Sequence, residues 1–401
     1  MKIAIAGAGV SGLTAALALY EKGEKEIQLY ERAAKLGEVG AGIQLAPNAV
    51  RILYQLGLGD DLAKMAHSAG AGELRRAGDN QLLTNLPSSE YFLKRYGLPV
   101  YQILRTDLHA MLLSALEDRQ IEIQLDKELA ETQQSNQEVQ INFADGTSAN
   151  ADVLIGADGV GSILSAQMFP ELPPLYAGVA CWRALLDQEK TGLTPIEKVT
   201  VWADEGRHLV AYPVGRSSLL NLVAVIRKDH WEYPHRVVPS SKAQWLKSFE
   251  GCCEQVAALI EHAPESDLWG FFEQRRLPEW HKDNQVLIGD AAHAMLPNLA
   301  QGAAQGMEDG VVLAEVLAEV LAEIRSGVTG PAGIETALAK FYARRSERVS
   351  RVQKGAHWNL DFFHQSSSPK IALRDGLMRM GGPFTTSVIA RKYDWLYSTS
   401  G

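Results

Sequence analysis

Cysteine is scarce in this sequence. The chain has 3 cysteines in 401 residues, Cys181, Cys252 and Cys253, and two of them are adjacent. An odd number with this spacing argues against a disulfide framework and supplies no cysteine-based metal site. Such usage is typical of a reducing compartment, so we predict a cytoplasmic protein.

Long apolar runs and an excess of basic charge are also missing. No run reaches the roughly 18 apolar residues that cross a bilayer, so we expect no membrane span. Lys and Arg number 39 against 48 Asp and Glu, and the net charge of −9 argues against nucleic acid as a partner. With 46% apolar residues the chain can bury a large core, and its length favours about two to three domains.

Three glycines near the beginning of the chain form a Gly-x-Gly-x-x-Gly motif, Gly7, Gly9 and Gly12. The motif follows a predicted buried strand at residues 3–6 and opens a predicted helix at residues 11–22. The first glycine permits a tight turn, the second lets the backbone approach a diphosphate, and the third lets helix and strand pack closely. Because the helix N-terminus attracts phosphate, this unit predicts dinucleotide binding rather than a merely structural turn.

An acidic residue ends the second strand of the same unit. Glu31 lies 19 residues after Gly12, the position from which a carboxylate binds ribose hydroxyls in this fold. The neighbouring Arg32 either lines the adenine side of the cofactor or forms an exposed salt bridge. Only one such glycine motif occurs in the chain, so no second nucleotide domain is expected.

The middle of the chain changes from alternating strands and helices to consecutive strands. A buried strand is predicted at residues 152–156, directly before Asp158-Gly159, and an antiparallel sheet is predicted after it. Trp182, Arg183, Trp202 and His208 belong to this sheet, and alternation alone leaves their faces open. The strands of the sheet are predicted at residues 179–183, 199–202, 208–212 and 219–225.

A long glycine- and alanine-rich stretch covers residues 289–310. It follows a predicted strand, begins with Gly289-Asp290, and leads into a helix predicted to start near Ala303. A carboxylate at a strand end can accept hydrogen bonds from a polyol. His293 has no second metal ligand at useful spacing, so we expect it to support the loop.

Together these segments resemble the single-component FAD-dependent aromatic hydroxylases related to 4-hydroxybenzoate and salicylate hydroxylase. The resemblance is carried by the glycine motif, Asp158-Gly159, Gly289-Asp290, the segments 37–49 and 104–108, and the step Tyr212-Pro213. It implies an α/β fold in which a Rossmann-like FAD-binding domain is interleaved with an antiparallel substrate domain and followed by a C-terminal helical segment.

The domains implied are discontinuous, since no Pro/Ser-rich linker divides the chain. The arginines in the tail after Phe341 are expected to form a solvated face. Residues 1–70, 100–177 and 280–340 would form the FAD-binding domain, residues 71–99 and 178–279 the substrate domain, and residues 341–401 the C-terminal helical region.

The resemblance also implies roles for single residues. Asp290 would accept hydrogen bonds from the ribityl chain, Arg105 would contact the cofactor, and Leu129 would offer its backbone to adenine. Backbone N–H groups at Gly302 and Ala303 would approach the flavin ring. The full set of implied cofactor contacts is Gly7, Gly9, Gly12, Glu31, Arg32, Gln44, Arg105, Leu129, Asp290, Gly302 and Ala303.

The implied reaction hydroxylates a small aromatic or heteroaromatic, phenol-like substrate. FAD would be reduced by transiently bound NADH or NADPH and would react with O₂ to give a C4a-hydroperoxide. Tyr212 would act at the phenol, and Pro297 would shape the loop over the flavin ring. The protein would be a monomer or homodimer.

Three departures from the family pattern concern the substrate and the reductant. Gln44 replaces a histidine base of the 6-hydroxynicotinate type, and Ala211 replaces a histidine common in salicylate-like relatives. Relatives usually carry an arginine soon after the Asp-Gly step, whereas residues 159–165 contain none. Neither the substrate nor the preferred nicotinamide nucleotide follows from the sequence.

Other functions remain open at this point. A flavoprotein that binds an aromatic ligand without turnover, as a sensor or for sequestration, would suit the missing base at Gln44. A flavin-dependent double-bond reductase would need a long apolar channel, and a plain NAD dehydrogenase would need only the first motif. The Trp-x-Trp-x-Ile-Pro signature of flavin halogenases is absent, as is the second glycine motif of Baeyer–Villiger oxygenases.

Overall fold

A computed structural model describes residues 1–37, 41–68, 70–135, 138–327, 333–365 and 368–398. Glu38, Val39 and Gly40, which belong to the family-like segment 37–49, lie outside these residues. Helix makes up 42% of the fold and strand 25%, and no described helix has the length and apolar character that a bilayer crossing requires.

The described residues form 19 strands and 13 α-helices. The strands are β1 (Ile3–Ala6), β2 (Ile27–Tyr30), β3 (Gly42–Leu45), β4 (Glu73–Arg76), β5 (Leu82–Asn85), β6 (Tyr101–Leu104), β7 (Ile123–Gln124), β8 (Leu129–Gln134), β9 (Val139–Phe143), β10 (Ser148–Ala151), β11 (Val153–Gly156), β12 (Leu175–Asp187), β13 (Thr200–Asp204), β14 (Arg207–Pro213), β15 (Leu219–Arg227), β16 (Val237–Val238), β17 (Leu268–Glu273), β18 (His281–Lys282) and β19 (Gln285–Leu287). The helices are α1 (Val10–Glu21), α2 (Pro47–Gln55), α3 (Gly59–Met65), α4 (Ser89–Tyr96), α5 (Arg105–Asp118), α6 (Ile163–Met168), α7 (Lys242–Ser248), α8 (Glu254–His262), α9 (Asp290–His293), α10 (Gly302–Arg325), α11 (Gly333–Phe363), α12 (Ser368–Lys392) and α13 (Asp394–Tyr397).

The first sheet has six strands in the order β18-β19-β11-β1-β2-β7. Its inner pairs are parallel, and only the edge strand β18 runs antiparallel. β1 and β11 are apolar and buried at every position, as expected for strands that are covered on both faces. The carboxyl ends of β1, β2 and β11 therefore meet at one edge, where the loops after Ala6, Tyr30 and Gly156 begin.

The second sheet has eight strands in the order β16-β17-β12-β15-β14-β13-β4-β5. The predicted antiparallel sheet is confirmed, because β12 pairs antiparallel with β15, β15 with β14, and β14 with β13. β4 extends it by pairing parallel to β13. Smaller sheets join β8 to β10 and pair β3 with β6.

The two faces of the second sheet contact different parts of the chain. Trp182, Trp202 and Ala211 lie on the back face, in an apolar core with α7 and α8. Because side chains alternate along a strand, Arg183 and Tyr212 lie on the opposite face. That front face looks toward the loop after β19 and the C-terminal helices.

Helices α1 and α10 pack closely because α10 carries glycine at the contact. A Cβ at Gly306 would lie 2.0 Å from Oγ of Ser11, and one at Gly310 would lie 2.8 Å from the backbone nitrogen of Ala15. No side chain fits at these separations. For Gly306 the sequence favours helix packing over a flavin contact, and this geometry supports packing. The close approach brings the start of α10 beside the glycine loop.

The C-terminal part differs from the sequence-based expectation. Sequence periodicity predicts a basic helix at residues 341–352, which is a segment of the 31-residue α11 beginning at Gly333. The residues that follow have a loose sequence pattern and form α12 and α13. Helical patterning also predicts a helical segment at residues 241–262, which forms two helices, α7 and α8, separated by a turn.

A buried histidine pair joins α11 to the second sheet. His208 of β14 and His364, just past α11, are 3% and 1% exposed, and Nδ1 of the first lies 2.5 Å from Nε2 of the second. Burial lowers the pKa of His208 to about 3. Burial, together with His208 and Arg227, lowers the pKa of His364 to about 2. Both rings are therefore neutral in the folded protein.

This pair should make the protein acid-sensitive. In the unfolded chain both histidines take up protons near a pKa of about 6.5, so unfolding gains protons below that pH. We expect the free energy of unfolding to fall by on the order of 1 kcal/mol per pH unit for each histidine as the pH drops from about 6.5 to 5. Denaturant unfolding at several pH values measures the slope. Replacing both histidines by Asn should flatten it, and replacing the exposed His262 by Asn should not; equal slopes in all three proteins would contradict the assignment.

Candidate active site

The glycine loop after β1 forms the floor of a cleft. Gly7 has φ of 108°, and a Cβ there would lie 2.3 Å from the carbonyl oxygen of Ala157. A Cβ at Gly12 would lie 2.0 Å from the carbonyl oxygen of Gly7. A Cβ at Gly9, in contrast, would meet nothing within 4 Å. The first and third glycines thus permit close packing, while the second faces open space at the N-terminus of α1.

Glu31 directly follows β2 beside this loop. One carboxylate oxygen accepts a hydrogen bond from the backbone N–H of Ala8 at 2.9 Å, and the other accepts one from Ala33 at 3.0 Å. These two bonds orient the carboxylate, and each oxygen keeps a lone pair for a ligand. Arg32, the next residue, is exposed.

Asp290 is the first residue of α9 and faces the same cleft. Its side chain is exposed to the open space although protein surrounds its other sides. Burial raises the pKa of its carboxyl, and the charges of His293, Arg105 and Arg236 oppose that rise. Gly289, with φ of 58°, makes the turn that aims the carboxylate into the cleft.

The chain continues from α9 into a short loop and then α10. Pro297 begins a 3-10 turn, Pro297–Leu299, and Ala300 adopts a left-handed conformation with φ of 51°. Gly302 then begins α10, and a Cβ there would meet nothing within 4 Å. The positive end of this 24-residue helix therefore points into open space, where it favours a negatively charged group.

The residues around the cleft fit FAD. A carboxylate at the end of β2, an open glycine position at a helix N-terminus, a second carboxylate and a second open helix N-terminus are the donors and acceptors that its parts require. Arg105, the first residue of α5, donates its backbone N–H to the carbonyl of Ala41 at 2.8 Å and lies close enough to Asp290 to affect its pKa. Leu129 begins β8 and is buried.

Tyr212 of β14 and Gln44 of β3 lie together. Tyr212 is buried, its hydroxyl is hydrogen-bonded to the Gln44 side chain, and β3 is tied to the second sheet by a 2.7 Å bond from the Gly42 N–H to Oδ1 of Asn221. Burial raises the pKa of Tyr212 well above its ordinary value, against the charge of Arg183 and the bond to Gln44. The phenol is therefore neutral.

Arg183 is the cation that acts on Tyr212 in this pocket. Its guanidinium lies 5.8 Å from the ring centroid of Trp269, and its charge opposes the rise in pKa that burial causes at Tyr212 and Cys181. Within the described chain the guanidinium has no hydrogen bond or ion pair, and the bonds between Arg183 and Ser266 involve only the Arg183 backbone. The pocket thus contains a partly buried cation with free donors.

Comparison with known proteins decides the family. The family model described as "FAD binding domain" matches residues 1–220 and 247–348. The chain is 35% identical to 6-hydroxynicotinate 3-monooxygenase of Pseudomonas fluorescens over 362 residues, 89% of this chain and 91% of that protein.

The chain belongs to the single-component FAD-dependent aromatic hydroxylases.

A second relative of this hydroxylase is 3-amino-4-hydroxybenzoate 2-monooxygenase of Streptomyces platensis, with 34% identity over 399 residues, 99% of this chain and 95% of that protein. Among solved structures, a substituted variant of HpxO of Klebsiella pneumoniae complexed with FAD superposes with a TM-score of 0.85 at 23% identity, covering 100% of this chain and 99% of that one. The α/β fold with a Rossmann-like domain, an antiparallel sheet and a C-terminal helical region is thereby confirmed.

Sequence reasoning missed a buried ionic cluster between α10 and α11 of this hydroxylase. Arg345 of α11 is 0% exposed. Its Nε donates to Asp309 at 2.8 Å and its Nη1 to Glu308 at 2.5 Å. Asp309 also accepts from the Gly289 N–H at 2.8 Å and lies 2.5 Å from Nε2 of His293. The cluster therefore joins α10, α11 and the turn before Asp290.

The charges of the cluster compensate one another. Burial opposes ionisation of Asp309, yet His293 and Arg345 outweigh it and lower the pKa of Asp309 to about 2. Glu308 receives two further bonds from Arg348, at 2.6 and 2.8 Å. The expectation that the tail arginines form a solvated face is wrong for Arg345 and Arg348, because their partners lie about 40 residues earlier in the chain. The expected supporting role of His293 agrees with these contacts.

Replacing Arg345 by Met should destabilise the hydroxylase strongly. The change leaves two buried carboxylates without their shared cation, a loss that costs about 3–5 kcal/mol. Denaturant unfolding of the purified protein measures it. The control is Arg344→Met, because that half-exposed residue pairs only with Glu315 at 2.8 Å and should contribute less than about 1 kcal/mol. Similar losses in both variants would contradict a compensated buried cluster.

Proposed function

We propose that this hydroxylase uses NADH or NADPH and O₂ to hydroxylate a phenol-like aromatic ring that carries a carboxylate. The observation that carries this substrate class is the unpaired guanidinium of Arg183 beside the neutral hydroxyl of Tyr212. A partly buried guanidinium binds a carboxylate with two parallel hydrogen bonds, and a neutral phenol can donate to or accept from a ring hydroxyl.

The names of the relatives support this class. One acts on 6-hydroxynicotinate and another on 3-amino-4-hydroxybenzoate, and both names denote aromatic rings with a hydroxyl and a carboxylate. The pocket offers one group for each substituent, Tyr212 for the hydroxyl and Arg183 for the carboxylate. The two groups would orient the ring so that one carbon faces the flavin.

Bound FAD supplies the redox chemistry, accepting a hydride from the nicotinamide and activating O₂. We propose that Gly7, Gly9 and Gly12 bind its diphosphate and that Glu31 binds its adenosine ribose, with Arg32 and Leu129 on the adenine side. The remaining proposed contacts lie toward the flavin ring and are Gln44, Arg105, Asp290, Gly302 and Ala303.

The side chain of Gln44 is not a base that could take the proton of the substrate hydroxyl. An amide cannot accept that proton, and the Tyr212 hydroxyl stays protonated because burial raises its pKa. The Gln44 amide donates to the Tyr212 oxygen, since that bond lowers the pKa of Tyr212. We propose that the Tyr212 O–H in turn donates to the hydroxyl oxygen of the substrate, which polarises it without full proton transfer inside the pocket. Activity should then favour substrates whose own hydroxyl is acidic.

The wall beside Arg183 excludes water. Cys181, Val225 and Leu296 are at most 1% exposed and form one apolar cluster with Leu360 of α11. Pro297 follows Leu296 directly, so the proposed ring loop borders this cluster. An apolar wall strengthens the hydrogen bonds of the buried polar pair and protects reactive species from water.

A substrate panel tests the proposal. FAD-loaded protein would be mixed with NADH or NADPH and with hydroxybenzoates, hydroxypyridine carboxylates, and the matching phenols and amides without a carboxylate. We expect nicotinamide oxidation with a hydroxylated product only for rings that carry both substituents. Binding without product would indicate a ligand-sequestering flavoprotein, and reduction of a double bond without O₂ consumption would indicate a reductase.

Two substitutions test the proposed contacts to the carboxylate and to the hydroxyl of the substrate. Arg183→Met should raise KM for the carboxylated substrate about 10- to 100-fold, the loss expected for a charged hydrogen bond, with little change for a carboxylate-free phenol.

Tyr212→Phe should lower the hydroxylated product formed per NAD(P)H consumed while KM changes less. Steady-state kinetics with product analysis measures both quantities. An unchanged yield in Tyr212→Phe would reject the role of the hydroxyl, and an unchanged KM in Arg183→Met would reject the carboxylate contact.

A further inference from the structure

The loop between β15 and β16 of the second sheet reaches across to the first sheet. Nη2 of Arg236, at the end of this loop, lies 3.4 Å from the position that a Cβ would have at Gly161. Gly161 belongs to the loop that follows β11 and Asp158-Gly159. Since no lysine or arginine occurs between Asp158 and Trp182, Arg236 supplies this side of the cleft with a cation that the local sequence lacks.

The guanidinium of Arg236 has little to compensate its charge. Burial lowers its pKa, the neighbouring charge of Arg32 lowers it further, and only Asp290 acts in the opposite direction. Within the described chain, neither Arg236 nor Arg32 has a hydrogen bond or ion pair from its guanidinium. Two exposed arginines whose charges repel each other form a site that an anion stabilises.

The position of this pair along the cleft identifies the anion. Arg32 follows Glu31, the proposed adenosine-ribose ligand, and Asp290 is the proposed ribityl ligand. Arg32 and Asp290 both act on the charge of Arg236, so its guanidinium is within electrostatic reach of both ends. The part of a dinucleotide that lies between its ribose and its ribityl chain is the diphosphate, and planar guanidinium groups bind phosphate oxygens bidentately.

The loop that carries Arg236 is held in place. The indole N–H of Trp231 donates to the carbonyl of His235 at 2.9 Å, and its ring lies 5.5 Å from that of Tyr176. A Cβ at Gly270 would lie 2.8 Å from the Trp231 ring, so β17 carries glycine where the indole packs. The Gly270 N–H also donates to the carbonyl of Arg236 at 2.8 Å. The backbone of Arg236 is therefore positioned before any ligand binds.

We propose that Arg236 is a phosphate-binding residue, which binds the diphosphate of FAD from the open side of the cleft while the glycine loop binds it from the floor. Both sheets then hold the cofactor, the first through backbone N–H groups at Gly9 and the second through one guanidinium. The proposal concerns cofactor retention and does not depend on the identity of the aromatic substrate.

The test is the affinity of the apoprotein for FAD, measured by titration of flavin fluorescence. Arg236→Gln should raise the dissociation constant about 10- to 100-fold, the loss expected for charge-assisted hydrogen bonds. Arg236→Lys should give a smaller loss, because it keeps the charge without the planar fork. The control Arg379→Gln removes an equal charge from an exposed position of α12 and should leave the affinity unchanged. Thermal unfolding of the apoproteins checks that all variants fold alike.

A second measurement separates the two dinucleotides that carry a diphosphate. Flavin reduction by NADH and by NADPH would be followed in stopped flow with each variant saturated with FAD. A weaker FAD affinity in Arg236→Gln with an unchanged nicotinamide dependence supports the proposal. An unchanged FAD affinity overturns it, and if the nicotinamide concentration dependence then shifts, the diphosphate bound by Arg236 is that of the reductant.

Discussion

The buried cluster around Arg345 is the interaction on which the geometry of the cleft depends. Asp309 accepts from the backbone of Gly289 and from His293, and it shares Arg345 with Glu308. One carboxylate thereby connects α10 to the turn that aims Asp290. Since α10 begins at Gly302, shortly after that turn, the same cluster sets the position of its positive N-terminus relative to Asp290.

Joining helices through such a cluster costs desolvation free energy, because each buried charge loses its hydration. Here the carboxylates and guanidinium groups satisfy one another, with Arg348 and Asn48 adding donors to Glu308. A purely apolar contact could join the helices, but it could not hold the backbone N–H of Gly289 by a charged acceptor. The charges therefore fix the geometry of the turn at Gly289 in addition to their effect on stability.

Charge is distributed unequally along the cleft. Glu31 and Asp290 offer acceptors to hydroxyl-rich parts of a ligand, whereas two helix N-termini and Arg236 favour its anionic parts. The pocket around Tyr212 also combines a neutral polar group with a cation, since the phenol of Tyr212 lies near the guanidinium of Arg183. The substrate and FAD would thus be oriented by the same principle, a polar group for each polar substituent and apolar walls between them.

The sequence by itself determined the family, the cofactor and the order of the main elements. The glycine loop, Asp158-Gly159 and Gly289-Asp290 are recognisable because turns and helix starts depend on neighbouring residues, so their signals are local. A strand at residues 139–143, where β9 lies, follows from the sequence for the same reason: its apolar alternation and the following turn are contained in one short segment.

Only the tertiary structure decided which face of each strand meets the pocket, and which distant charges pair. Alternation indicates that Trp182 and Arg183 point to opposite sides but not which side is the front, because that depends on what packs there. Arg345 and Arg236 resemble ordinary surface arginines in the sequence, since their neighbours, Asp309 and Gly161, lie far away in the chain. Long-range electrostatics and packing leave no local pattern, and they become visible only when both sheets are placed together.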